Sequence, residues 1–210
     1  MKELIQLSGT YPKLKIKDHG GWGARHESFL SFLEEMFERY EKYFLDKQLT
    51  FNFHSGDRAD DALKHLRQGP VFANNTTERL KEKILPIPDF VYGHGLEPGV
   101  QDWDTLITQC REKAELPYED EHCFWIGDVN NHRIRKKLLG FSERYPQYIK
   151  AIGMEWNNNG SDTGYNVRDA TAYVPIPEHA KYKFLIDIQG KGYSSRLKAA
   201  YAFEATRLSL

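Results

Sequence analysis

The chain has 210 residues, 40% hydrophobic and 13% aromatic, which suits one large domain or two small ones around a real core. Its 29 basic and 30 acidic residues leave a net charge of −1, which excludes the lopsided charge of a general nucleic-acid binder. Cys110 and Cys123 make neither a disulfide framework nor a zinc cluster and favour a reduced, intracellular chain, and no stretch has the length of a signal-peptide core or a membrane span.

Residues 26–45 place Phe29, Phe32, Leu33, Met36, Phe37, Tyr40 and Phe44 at helical spacing, an aromatic stripe that reads as core. LTFNFHSGDR follows as a short strand ending in a polar corner. A helix is predicted from about Arg58 to Gln68, then a strand in PVFAN after Gly69-Pro70. ILPIPDFVYGHGLEPG, broken by proline and glycine, reads as irregular chain. DWDTLITQCREKAEL is a helix with Asp102 at its N-cap and Leu106, Ile107 and Cys110 on one face. HCFWIGD is a strand running to a corner at Gly127, and a helix follows from Arg133 to Tyr145. EWNNNGSDTGYNVRDA reads as loop. The last elements are a strand from Phe184 to Ile188, a corner at Gly190 and Gly192, and a helix opening at Ser194 or Ser195. Strands alternating with helices predict an α/β sandwich.

Three strands thus end at a glycine-containing polar corner before a helix, the place where open α/β sheets bind ligands. GKGYSSR, residues 190–196, offers bare backbone at Gly192, a helix start at Ser194 and Ser195, and the guanidinium fork of Arg196. It reads either as a phosphate cradle or as an ordinary βα turn. After Gly127 the helix brings Arg133, Arg135, Lys136 and Lys137 into its first turns, either a solvated basic face or cations awaiting an anion. Asp57, beside His54 at a strand end, is either a general base or the cap of the next helix. Asp102 and Asp104 form an Asp-x-Asp pair that could hold Mg²⁺ or Mn²⁺, but their position at a helix start favours capping. His19, His94, His122 and His132 show no ligand spacing, and no metal site is expected.

HAKYKFLIDIQGKGYSSRLK resembles the signature segment of glycosyltransferase family 90, the CAP10-type transferases, which include lipopolysaccharide-modifying and protein O-glucosyltransferases. CFWIGDVNNHRIRKKLL, PVFANNT and FNFHSGD resemble earlier segments of that family, in order. The resemblance implies a GT-B-like architecture of Rossmann-like halves, with an acceptor-side part at 1–118 and a nucleotide-sugar part at 119–210 whose C-terminal portion is missing. It further implies an inverting, metal-independent enzyme without a cofactor. Such an enzyme moves a glucose- or xylose-type sugar from a UDP-sugar to a glycan or protein hydroxyl, in the cytoplasm or peripheral to a membrane in a bacterium. Asp57 falls on the family's base and Arg196 on its diphosphate arginine. Arg135 or Arg133 falls on the second phosphate arginine, while Gly127, Gly192, Ser194 and Ser195 fall on the backbone around them. The alternatives are a non-catalytic phosphate- or sugar-binding module and a metal-dependent transferase using Asp102 and Asp104.

Overall fold

The computed structural model describes residues 3–21, 23–89, 92, 102–154, 173–190, 192, 194 and 196–203, with backbone alone at 24, 65, 67 and 68. The chain divides into two compact units, Met1–Glu97 and Pro98–Leu210.

The first unit opens with a hairpin, β1 (Leu4–Thr10) and β2 (Lys13–Asp18), turning at Tyr11-Pro12. The sequence reading did not anticipate it, although Leu4, Ile5 and Leu7 are buried and KLKIKD alternates. Helix α1 (Gly23–Arg39) and a single turn α2 (Glu41–Phe44) replace the one predicted helix, with a break at Tyr40. Strand β3 (Gln48–His54) pairs antiparallel with β1 over seven residues. The predicted helix from Arg58 to Gln68 is a short α3 (Ala59–Ala62) continued as a 3₁₀ segment, Leu63–Gln68. Gly69 ends it at φ 125°, a conformation that favours glycine. Strands β4 (Val71–Ala73) and β5 (Ile84–Pro86) complete the sheet, and β5 corrects the reading of that stretch as irregular. The order is β2-β1-β3-β4-β5, antiparallel up to β3 and parallel from β3 to β5.

Helix α1 covers this sheet. Phe29, Leu33 and Phe37 are buried with Ile5, Leu7 and Phe53, and Phe29 stacks on Phe53 at 3.8 Å between ring centroids. Two members of the predicted core stripe, Phe32 and Tyr40, are instead 41% and 46% exposed.

In the second unit, α4 (Trp103–Ala114) packs against a parallel sheet of β6 (Asp120–Asp128), β7 (Ile149–Met154) and β8 (Tyr182–Leu185) in the order β7-β6-β8. Helix α5 (Arg133–Arg144) links β6 to β7; β8 is preceded by a 3₁₀ segment, Ile176–Lys181. The short α6 (Arg196–Ala200) and a 3₁₀ turn, Tyr201–Phe203, follow. Leu106 and Cys110 of α4 share a core with Phe124, Ile126, Tyr182, Ala199 and Phe203, and Phe124 stacks on Tyr182 at 3.9 Å. Burial pushes the Cys110 thiol up to about 12, so it behaves as a core residue. The architecture is mixed α/β with parallel-rich sheets, compatible with a Rossmann-like fold. No helix among the described residues is long and apolar enough to cross a membrane.

Candidate active site

The chain passes from β6 to β7 on one side of the second sheet and later crosses to β8 on the other. The topological switch therefore lies at the carboxyl ends of β6 and β8, where a doubly wound sheet leaves a crevice for ligands. Two of the predicted corners, those of Gly127 and Gly192, come together there.

Arg135 ties them. Its Nη1 donates to the carbonyl of Asp128 (2.8 Å), Nη2 to Ile188 (3.0 Å) and Nε to Gln189 (3.1 Å). The side chain is 5% exposed, and its guanidinium carbon lies 5.5 Å from the Trp125 ring centroid. Burial lowers its pKa against the opposing charges of Asp128 and Asp187. These bonds also explain why β8 stops at Leu185 rather than running to Ile188. After Ile186 N–H reaches the Phe124 carbonyl, the carbonyls of Ile188 and Gln189 turn to Arg135. Three of the five guanidinium N–H groups are thus engaged by carbonyls of the described residues.

Arg196 stands at the first position of α6. Its Nη1 donates to the carbonyl of Ile126, and its Nη2 lies 3.0 Å from where a β-carbon on residue 127 would stand. Residue 127 is glycine because the Trp125 ring, also 3.0 Å from that point, and Arg196 fill the space. Burial, then the neighbouring charge of Arg135, pushes the Arg196 guanidinium down to about 10; Asp187 and Tyr173 pull the other way. Two crowded, partly desolvated guanidiniums favour an anion between them.

Ser194 Oγ donates to Asp187 Oδ1 at 2.5 Å, and the Ser194 carbonyl accepts from Leu197 N–H. Gly192 lies in a bend, and Ser195 falls outside the described residues, as does 155–172 with the whole of the predicted Asn- and Gly-rich loop. Helix α6 has five residues, so its dipole adds little, and the side-chain cations dominate. Arg133 is exposed at the first position of α5, which is capped by His132 Nδ1 accepting from Ile134 N–H (3.4 Å). His179 is buried, its Nε2–H donating to the Val174 carbonyl at 3.0 Å.

In the first unit Asp57 follows β3 but does not stand at the N-cap of α3: Arg58 holds that position, without a side-chain cap hydrogen bond. Asp57 Oδ1 instead accepts from Nη1 of Arg25 at 2.7 Å, and the same nitrogen reaches the carbonyl of Ser55 at 3.0 Å. Asn75, from PVFANNT, donates to the Asp57 carbonyl at 3.3 Å. His26 fixes the loop, its Nε2 accepting a hydrogen bond from the Ser55 hydroxyl (2.7 Å) while Nδ1–H donates to Asp18 (3.0 Å). Ser55 is fully buried, so this chain is a tether rather than a nucleophile. Sequence reading missed Arg25, His26 and Asp18. Their one signal is RH at the start of an otherwise aromatic and acidic helix.

Asp102 caps α4, accepting from Asp104 N–H at 3.0 Å and Thr105 N–H at 3.4 Å, as the capping reading of the Asp-x-Asp pair expects. Among the described residues no group of three His, Cys, Asp or Glu is placed to hold a metal ion.

Residues 22–209 match the family model described as Glycosyl transferase family 90. The chain belongs to that family. It is 26% identical over 162 residues to the O-glucosyltransferase rumi of Drosophila melanogaster, and equally to that of Drosophila pseudoobscura pseudoobscura. Each match covers 73% of this chain and 39% of the relative, so the chain spans about two fifths of the length of the curated relatives it matches. Within this family 90 chain, FNFHSGD runs into the loop that Arg25 and His26 hold, and the chain entering GKGYSSR is held by Arg135.

Proposed function

We propose that this chain supplies the donor-phosphate site and the general base of an inverting, metal-independent glycosyltransferase of GT-B-like architecture. It moves a glucose- or xylose-type sugar from a UDP-sugar to a glycan or protein hydroxyl. The observation that carries the reading is Arg196 beside Gly127 at the topological switch of the parallel sheet. The second unit holds the nucleotide and the first unit the acceptor.

Asp57 takes the proton of the acceptor hydroxyl as its oxygen attacks the anomeric carbon and the bond to UDP breaks. Arg25 orients the carboxylate. Arg196 stabilises the negative charge that grows on the departing diphosphate, and Arg135 holds both corner loops around it. Fixed cations fill the role a divalent metal has in Asp-x-Asp enzymes, and Asp102 is occupied as a cap.

The test is transfer or slow hydrolysis of UDP-glucose and UDP-xylose by the full-length enzyme, in EDTA and in Mn²⁺. Equal rates are expected, with Asp57→Asn losing roughly 10²-fold, the scale of a lost general base. A rate that requires Mn²⁺ and vanishes in Asp104→Ala would favour the metal-dependent reading instead.

A further inference from the structure

The loop that carries Asp57 is anchored at Ser55. Its N–H donates to the Glu3 carbonyl (2.9 Å), its carbonyl accepts from Arg25 Nη1 (3.0 Å), and its hydroxyl donates to His26 Nε2 (2.7 Å). Ser55 is 0% exposed and His26 2%, so water replaces none of these partners. Residue 56 is glycine, and a β-carbon there would meet Glu3 Oε2 and stand 2.6 Å from His54 Nε2. The backbone therefore enters Asp57 from a position fixed by three hydrogen bonds and by close contact at Gly56.

Asp18 sets the direction of the His26 bond. Gly20 N–H donates to Oδ1 of Asp18 at 2.7 Å, and Oδ2 faces His26 Nδ1 at 3.0 Å. Burial raises the pKa of Asp18, but the His26 hydrogen bond, the Gly20 N–H and the charges of His26 and His19 outweigh it and hold the carboxyl below its ordinary value. An ionised carboxylate only accepts, so the proton of the neutral imidazole stays on Nδ1 and Nε2 is left to accept from Ser55. Gly21 leaves the ring its room: its φ is 149°, and a β-carbon there would stand 3.2 Å from His26 Nε2.

We propose that His26 is a positioning residue for transfer: its Nδ1-protonated tautomer, imposed by Asp18, holds Ser55 and through it the reacting position of Asp57. The inference rests on Asp57 being the base, as in the reading above. Folding alone does not require such a chain. Apolar groups of the same shape stabilise a buried spot about as well as a hydrogen-bonded pair, whereas a directional chain fixes the backbone in one place. Displacing a reacting group by about 1 Å costs up to roughly 10²-fold in rate, so that fixity bears on catalysis.

The test variant is Asp18→Asn, at a side chain 52% exposed, where the amide keeps the size of the carboxylate. Gly20 N–H selects the amide oxygen, so the amide NH₂ faces His26 Nδ1 and drives the imidazole proton to Nε2. The Ser55 hydroxyl proton then loses its acceptor. Long-range ¹H–¹⁵N NMR of the chain at about pH 8, above the ordinary histidine value, should show the His26 proton on Nδ1 in wild type and on Nε2 in the variant. In the full-length enzyme, kcat for transfer should fall roughly 10- to 10²-fold in Asp18→Asn, with KM for the UDP-sugar unchanged. In an Asp57→Asn background the same substitution should change nothing further. A proton on Nε2 in wild type overturns the proposal. So does an equal proportional loss in the Asp57→Asn background, which marks a purely structural role. Asp57→Asn slow with Asp18→Asn at the wild-type rate sinks this inference alone. Asp57→Asn at the wild-type rate sinks the base assignment, and this inference with it.

Discussion

Arg196 lies against the bare backbone of Gly127, with Nη2 only 3.0 Å from the point where a β-carbon on residue 127 would stand. The Trp125 ring closes the other side at the same distance, so neither neighbour can retreat freely. Gly127→Ala should therefore displace the guanidinium. Overpacking of this kind costs about 1–3 kcal/mol, which a urea titration will read. Weaker UDP binding should accompany it. A variant with wild-type stability and wild-type UDP affinity would show that the glycine is incidental.

Arg135 is a latch, since three of its N–H groups hold carbonyls on two separate loops. Arg135→Lys keeps a charge but not the fork, and leaves buried carbonyls without donors. The expected loss is about 1–3 kcal/mol per unsatisfied group, measured by chemical denaturation. Equal stability of Arg135→Lys and wild type would contradict the latch.

His179 should make the second unit sensitive to acid. Burial, followed by the charges of Arg196 and Lys181, pushes its pKa down from 6.5 to about 4. Between those values the unfolded chain binds a proton that the folded chain refuses, so stability falls as pH is lowered from 6.5 towards 4. The loss is on the order of 3 kcal/mol if the imidazole stays neutral throughout. Thermal melts across that window should show the slope in wild type and a flatter one in His179→Leu. Identical slopes would mean that other groups carry the acid response.

The strands and helices with strong periodicity were legible in the sequence, as were the glycine corners. FNFH, FWIGD and the α5 segment announce themselves through apolar runs and turn residues. The N-terminal hairpin was not read, because KLKIKD carries its charges on an edge strand, with little apolar burial to mark it. The end of β8 was misplaced because Ile186 and Ile188 look like strand. What stops the ladder is Arg135, some fifty residues earlier in the chain. The same distance hides the clasp on Asp57. Arg25 and His26 lie about thirty residues before the loop they hold, and no local pattern pairs them. Phe32 fits the core stripe by spacing yet faces a cavity, a difference only the packing of α1 on its sheet decides.

The measurement closest to the central claim is calorimetric titration of UDP into the chain, wild type against Arg196→Ala, with EDTA present. The account predicts binding by wild type without metal and a loss of about 1.5–3 kcal/mol in the variant, the scale of one charge-assisted contact. Equal binding by the two proteins would contradict it.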